Sequence, residues 1–270
     1  FYFASLFFDK KIQKDVNDLY MFCRYIDDLV DSPTFKKKKI KDKLKYLKQC
    51  LKKKSSQDPI INKFIIIMNR YNIRVSTPLY LISGIFDDLK KVNISSFNEL
   101  FFYSYKVAGT VGLMMCKIMK TNNIKHNLKG IQLGIAMQIT NICRDIKEDL
   151  KRDRIYFPKT YRSFKFKNCN EILSDTSLQK KFSRDIKRLM KDSDNLYANS
   201  WNAILELPLR YRIPIAIAAN LYQSIGFKIK KNNFNIWHER IYLNLSEKVI
   251  ITLKTLMYVM IRKKSKSNLK

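Results

Sequence analysis

Two short acidic runs carry the chemistry this sequence could perform. The first, Arg24-Tyr25-Ile26-Asp27-Asp28-Leu29-Val30-Asp31, sets Asp27 and Asp31 four residues apart, with Asp28 between them. On a helix that spacing stacks the two carboxylates one turn apart on one face. Like charges so placed repel, and here they interrupt an apolar stripe; a local rule broken without local benefit marks a functional position. The second run, Asn141-Ile142-Cys143-Arg144-Asp145-Ile146-Lys147-Glu148-Asp149, puts Asn141, Asp145 and Asp149 on one helical face. Asp153 continues the spacing, close to the helix end that Pro158 predicts. With 23 Asp+Glu against 53 Lys+Arg, two carboxylate rows of one spacing are hard to attribute to chance.

Short oxygen ligands on two helices suit a hard cation. Mg²⁺ binds through one or two carboxylates plus substrate phosphates and keeps several waters; Mn²⁺ accepts the same ligand types. Zinc is disfavoured because the Cys and His residues do not cluster. Each row has an arginine beside its first Asp, Arg24 and Arg144, able to take phosphate oxygens while the metal takes others. The inferred ligand is a Mg²⁺-bound diphosphate, which such a metal stabilises as a leaving group. The carbocation left behind needs a dry, aromatic-lined cavity. Phe1, Tyr2, Phe3, Phe7, Tyr20, Phe22 and Tyr25 lie near the first row in sequence, and Phe101, Phe102, Tyr103 and Tyr105 form a second group. Ring faces stabilise positive charge, although ordinary core packing competes for each ring.

The elements that hold these residues read as helices nearly throughout. Leu19, Phe22, Cys23, Ile26 and Val30 recur at helical spacing, as do Ile131, Ile135, Gln138, Ile139 and Ile142. Sustained strand-type alternation and Asn-Gly or Asp-Gly hairpin signals are missing from the sequence. Breaks are expected at Ser32-Pro33, Gln57-Asp58-Pro59, Thr77-Pro78, Thr121-Asn122-Asn123, Pro158, Pro208, Pro214 and Asn232-Asn233. Ser95-Ser96 followed by Glu99 reads as a capping box. The expectation is one all-α domain over residues 1–270, a helical bundle with a basic tail at 262–270.

Composition narrows the class further. The 270 residues are 46% hydrophobic, enough for a packed core despite a formal charge of +30. Six Gly and six Pro exclude collagen-like and linker-dominated chains. Five scattered Cys, an odd number with no CxxC, point to reduced thiols rather than a disulfide scaffold. Lys, Asn and Ile are abundant, as codon bias alone would produce. So positive a field nevertheless draws anionic lipid surfaces and polyphosphates. Nucleic acid is not the expected partner, because no zinc finger, RNP-like or basic-zipper pattern occurs.

From these residues the chain resembles the squalene/phytoene synthase family, and within it the phytoene synthases. Five blocks carry the resemblance: Phe1-Tyr2-Phe3-Ala4-Ser5; Tyr20 to Asp31; Tyr103-Ser104-Tyr105-Lys106-Val107-Ala108-Gly109-Thr110-Val111-Gly112-Leu113-Met114-Met115; Leu133 through Asn141 to Arg154-Ile155-Tyr156-Phe157-Pro158; and, more weakly, Tyr222 with Trp237-His238-Glu239-Arg240. The resemblance implies an isoprenoid synthase helical bundle with a central cavity. It implies a prenyltransferase that joins two geranylgeranyl diphosphates head to head, through a cyclopropyl (prephytoene) diphosphate, to phytoene, the first committed step of carotenoid biosynthesis.

By motif position, the resemblance makes Asp27, Asp31, Asn141, Asp145 and Asp149 the metal ligands, with Mg²⁺ as cofactor and no NADPH. Tyr103 is implied for ionisation or proton handling. Substrate contacts are implied for Arg24, Tyr25, Asp28, Val107, Ala108, Gly109, Gly112, Gln138, Arg144, Tyr222 and Arg240. Gly109 and Gly112 suit close approach either to a prenyl chain or to another helix. The alternatives are a squalene, dehydrosqualene or presqualene diphosphate synthase acting on farnesyl diphosphate, and a catalytically silent assembly factor; two complete rows argue against the last. Small Ala4 and Ser5 favour a deep pocket and the longer substrate. The apolar, basic-ended Glu247–Ile261 segment is expected to dock on the fold or to lie on a membrane. A cytoplasmic, peripherally membrane-associated protein, with downstream carotenoid enzymes as partners, is expected.

Overall fold

The computed structural model describes residues 2–31, 37–121 and 123–267, with the backbone alone for Asp31 and residues 262–267. Phe1, the Ser32-Pro33 break and the side chains of Asp31 and the basic tail, all singled out above, lie outside the described residues. The helices are α1 (Tyr2–Ser5), α2 (Lys10–Asp31), α3 (Lys37–Lys53), α4 (Pro59–Arg70), α5 (Ser76–Asp87), α6 (Phe97–Ser104), α7 (Thr110–Ile118) and α8 (Ile124–Lys151). There follow α9 (Cys169–Ser174), α10 (Thr176–Glu206), α11 (Leu209–Lys231) and α12 (Leu245–Ser267). A π-helical turn, Tyr105–Gly109, joins α6 to α7. The described residues form no strand, only an isolated parallel bridge between Asn93 and Ile155.

Local sequence explains most boundaries. The Asp58 carboxylate accepts the Ile60 N–H at 2.9 Å, and Pro59 follows where no N–H is needed. Ser96 caps α6 by accepting the Glu99 N–H, while Glu99 reaches back to the Ser95 N–H at 2.7 Å. Asn123 caps α8. Beyond Lys151, Asp153 takes a positive φ of 53°, and its carboxylate swings out to pair with Lys91 rather than extend the acidic row. Pro208 precedes α11 as expected, but Pro214 lies inside α11 rather than at a break. Its ring removes one helical hydrogen bond, and burial among the neighbouring apolar residues offsets the loss.

The apolar stripe of α2 is buried as its spacing predicts, and Phe22 stacks on Phe64 of α4 at 3.7 Å. Asp15, 2% exposed, is satisfied by Arg70 and by the Tyr71 hydroxyl, which ties α2 to α4 a second time. One apolar cluster gathers around α2–α5 and α7, and another around α8 and α10 with the segments at 155–157 and 236–241. Between the two, α8 packs on α7, α10 and α11. A Cβ on Gly112 would stand 2.1 Å from the Gly130 carbonyl, and one on Gly134 would stand 2.4 Å from that of Ala108. Backbone therefore meets backbone where the π-turn and α7 cross α8. Gly109 likewise faces Ile131 and Ile135 of α8.

Candidate active site

One member of each predicted row, Asp27 and Asn141, lines a common cavity. Its walls come from α2 (Cys23, Asp27), the π-turn and α7 (Val107, Ala108, Gly112), α8 (Gln138, Asn141) and α11 (Ile215, Ala218, Tyr222), around a volume of about 200 Å³. A π-turn accommodates one extra residue per turn and recurs at functional sites; here it supplies Val107 and Ala108 to the wall. Methionines and cysteines line much of the remainder, so the interior is apolar with polar groups at Asp27, Gln138 and Asn141. The Asn141 Oδ1 is buried and accepts no hydrogen bond from the described residues. An orphaned carbonyl oxygen costs free energy unless something binds it.

A second, basic chamber of about 470 Å³ adjoins the first. Tyr20, Arg144, Arg240, Tyr242 and Lys248 line it, and Tyr222 lies on the walls of both. Asp145 sits beneath two guanidinium groups: Arg144 Nε donates to Oδ1 at 2.8 Å, and Arg240 donates to both carboxylate oxygens at 2.9 and 3.2 Å. Burial pushes the Asp145 carboxyl up, but these hydrogen bonds outweigh it and hold the group below the usual carboxylate range. Asp149, one turn on, feels the Arg154 and Arg152 charges, which pull its carboxyl down but do not prevail. Burial and the Asp145 charge push it up to about 7.

Tyr103 heads a third constellation. Its hydroxyl donates to Asp88 at 3.1 Å, and the Tyr156 hydroxyl donates to the other Asp88 oxygen at 2.8 Å. The two rings stack at 4.9 Å. Desolvation first, then the Asp88 charge, raises the Tyr103 hydroxyl far above the usual phenol range, so it stays protonated. Backbone hydrogen bonds between residues 92–94 and 155–159 hold the Asp88 loop against Tyr156. Asp88 and Tyr156 join the constellation although neither belongs to an acidic row. The signal was available, since Asp87-Asp88 is a third acidic pair in an acid-poor chain, but it has no row spacing.

Other predicted residues stand apart. Arg24 and Asp28 pair with each other at 3.0 Å, both largely exposed. Tyr25 turns toward the Asp58 cap of α4. Ala4 packs with Ile217 and Leu221, and Ser5 donates to the Tyr2 carbonyl; neither lines the cavity. Among the described residues, no three His, Cys, Asp or Glu side chains gather closely enough to hold a metal unaided. A larger open groove of about 730 Å³ along α10, lined by Lys180, Arg184, Lys187 and Trp237, contains no carboxylate.

Against known proteins, a family model described as squalene/phytoene synthase matches residues 1–247. The 15-cis-phytoene synthase of Pantoea ananas is 28% identical over 261 residues, covering 93% of this chain and 84% of that protein. The phytoene synthase of Cereibacter sphaeroides is 26% identical, over 93% of this chain and 73% of its own. In fold, a dehydrosqualene synthase crystal structure superposes with a TM-score of 0.82 at 23% identity, covering 96% of this chain and 90% of that one. A squalene synthase from Alicyclobacillus acidocaldarius gives 0.75 at 19% identity, over 86% and 88%.

Proposed function

We propose that this chain, which belongs to the squalene/phytoene synthase family, is a prenyltransferase that joins two geranylgeranyl diphosphates head to head to make phytoene. One observation carries the reading: Asp27 of α2 and Asn141 of α8, one from each acidic row, line the same apolar cavity beside the arginine-lined chamber. The curated relatives named phytoene synthase favour the C20 substrate.

The residues fit a divalent cation. Among the described residues Asn141 Oδ1 lacks a partner, and Asp149 is a carboxyl whose ionisation is held back by burial and by the Asp145 charge. Asp27, Asn141, Asp145 and Asp149, with Asp31, would hold Mg²⁺ together with substrate phosphates, as expected for a cation that does not require an all-protein cage. When bound, the cation neutralises the diphosphate and favours its departure.

The chain's own groups do the rest. Arg144, Arg240 and Lys248 draw the diphosphate into the basic chamber. Tyr222, on both walls, stands where the polar head gives way to the prenyl chain. The cavity keeps water from the allylic cation, which the π electrons of the second substrate's double bond attack, closing a cyclopropane with loss of a proton. The cyclopropylcarbinyl diphosphate then loses its own diphosphate, rearranges, and gives up a second proton to form the conjugated triene. The protonated Tyr103, held by Asp88, provides a fixed hydroxyl for the ionisation or proton-handling step. Product mass analysis with C15 and C20 diphosphates offered together, with and without NADPH, tests the reading. A C40 triene independent of NADPH supports it, and a C30 product transfers it to the dehydrosqualene or squalene reaction.

The outer face of α12 favours a peripheral site of action. The helix docks through Thr252, Thr255 and Val259, with Asn220 donating to Thr255 Oγ1 at 2.9 Å. Leu245, Val249, Ile250, Leu253, Met257 and Ile261 remain exposed. No described helix is long and apolar enough to cross a membrane. An exposed apolar stripe on a strongly basic chain suits an anionic bilayer surface. Sedimentation with phosphatidylglycerol vesicles checks this; Leu253→Glu with Met257→Glu should abolish co-sedimentation.

A further inference from the structure

The segment between α11 and α12, residues 232–244, carries Arg240 to α8. It is pinned near its end, where Lys228 donates to the Tyr242 carbonyl at 3.0 Å and pairs with Glu247 at 2.7 Å. In its middle the Trp237 indole is buried edge-on against Phe182, and its Nε1–H donates to the Gln179 carbonyl at 3.1 Å and to Ser183 Oγ at 3.0 Å. From α8, the Lys147 ammonium donates to the carbonyls of Trp237 and His238, the latter at 3.2 Å. Three residues beyond Trp237, Arg240 reaches Asp145.

Lys147 stands two residues after Asp145 and two before Asp149, so the helical repeat turns it away from the acidic row. Its charge goes to two neutral carbonyls of the strap, although three carboxylates neighbour it in sequence. The helix that presents the acidic row therefore also grips the backbone that presents the opposing guanidinium. A flexible arginine can meet a ligand in many geometries, and fixing its backbone reduces the ordering cost when it does.

We propose that Lys147 is a positioning residue for Arg240, clamping the strap so that the guanidinium stays registered with α8 and is ready for the diphosphate. This rests on the reading of the basic chamber as a diphosphate site. Lys147 makes no contact with the ligand in this scheme and acts only through Arg240.

The test is calorimetric titration of inorganic pyrophosphate with Mg²⁺, on wild type and variants. Arg240→Gln should weaken binding, and Lys147→Met should weaken it about tenfold, the scale of one charge-assisted hydrogen bond. Lys147→Arg, which can still donate to both carbonyls, should restore it. Adding Lys147→Met to Arg240→Gln should cost nothing more. In turnover, Lys147→Met should raise KM with kcat within about twofold, since an initial-binding contact is lost rather than a transition-state one. A metal-free readout comes from the two tryptophans: with Trp201→Phe, Trp237 is the sole indole, and Lys147→Met should shift its emission to longer wavelength. Should Lys147→Met fail to fold, Trp237→Phe removes the other clamp and should give the same pattern at smaller size. Unchanged binding in Lys147→Met, or an equal further loss on top of Arg240→Gln, overturns the positioning role. If Arg240→Gln itself binds pyrophosphate normally, the diphosphate reading of the chamber fails with it.

Discussion

Tyr103 donates its hydroxyl to Asp88 at 3.1 Å, across a bend that joins the end of α5 to the last turn of α6. Asp88 has a second donor in Tyr156, so one carboxylate orients two stacked phenols beside the acidic helix. The arrangement fixes where the Tyr103 oxygen lies and keeps its proton in place.

Removing that orienting charge should therefore resemble removing the phenol's function. Asp88→Asn and Tyr103→Phe are each expected to lower kcat by about 10²-fold, the lower range for a positioned proton-handling group. The double variant should be no worse than the poorer single one, because the two groups act as a unit. Steady-state kinetics with full product analysis checks this; additive losses would show that they act separately.

Asp149 gives a pH dependence with a definite sign. Its carboxyl titrates at about 7 in the folded chain against an ordinary 3.8. The folded state thus holds the proton more tightly, and stability is lost as pH rises from about 4 to about 7. Asp149→Asn removes the penalty: the metal-free variant should match wild type near pH 4 and exceed it at pH 8. A gain of about 1 kcal/mol or more corresponds to roughly 2–4 °C in melting temperature. Added Mg²⁺ should stabilise wild type more at pH 8 than at pH 5, and the variant little at either.

Metal dependence should follow the two rows equally. EDTA is expected to stop turnover, and Asp27→Ala or Asp145→Ala should lower it by about 10³-fold or more, the scale of several kcal/mol of lost charge stabilisation. Far-ultraviolet circular dichroism should stay unchanged, because Asp27 is exposed and, among the described residues, Asp145 pairs with the site arginines Arg144 and Arg240. Undiminished product from either variant would refute the metal assignment.

Gly112 tests the packing that brings the π-turn to α8. Gly112→Ala places a Cβ against the Gly130 carbonyl, where no side chain can move aside. Overpacking of this kind costs roughly 1–3 kcal/mol, read as a lowered melting temperature. Gly226→Ala, whose Cβ would meet only the flexible end of Met190, should be milder.

Spacing along single helices was legible in advance because it is a local property. The i, i+4 repeat put Asp27 with Asp31 and aligned Asn141, Asp145 and Asp149, and the α2 stripe of Leu19, Phe22 and Ile26 went to the core as its period required. Capping residues Asp58 and Ser96 set helix starts through hydrogen bonds only two or three residues long. Pro214 misled, because a proline's local cost does not reveal the burial that offsets it.

What the chain order alone determined, then, was the helical class and the spacing of the two acidic rows along their helices. Tertiary structure decided which members of those rows share a cavity, that Arg24 pairs with Asp28 while Arg144 and Arg240 converge on Asp145, and that Asp88 serves Tyr103. Each of the latter two joins residues far apart in sequence or depends on the direction a side chain takes once neighbouring helices have packed. Helical periodicity fixes faces, whereas the backbone contacts of Gly112 with Gly130 and of Gly134 with Ala108 fix which faces of the π-turn, α7 and α8 meet.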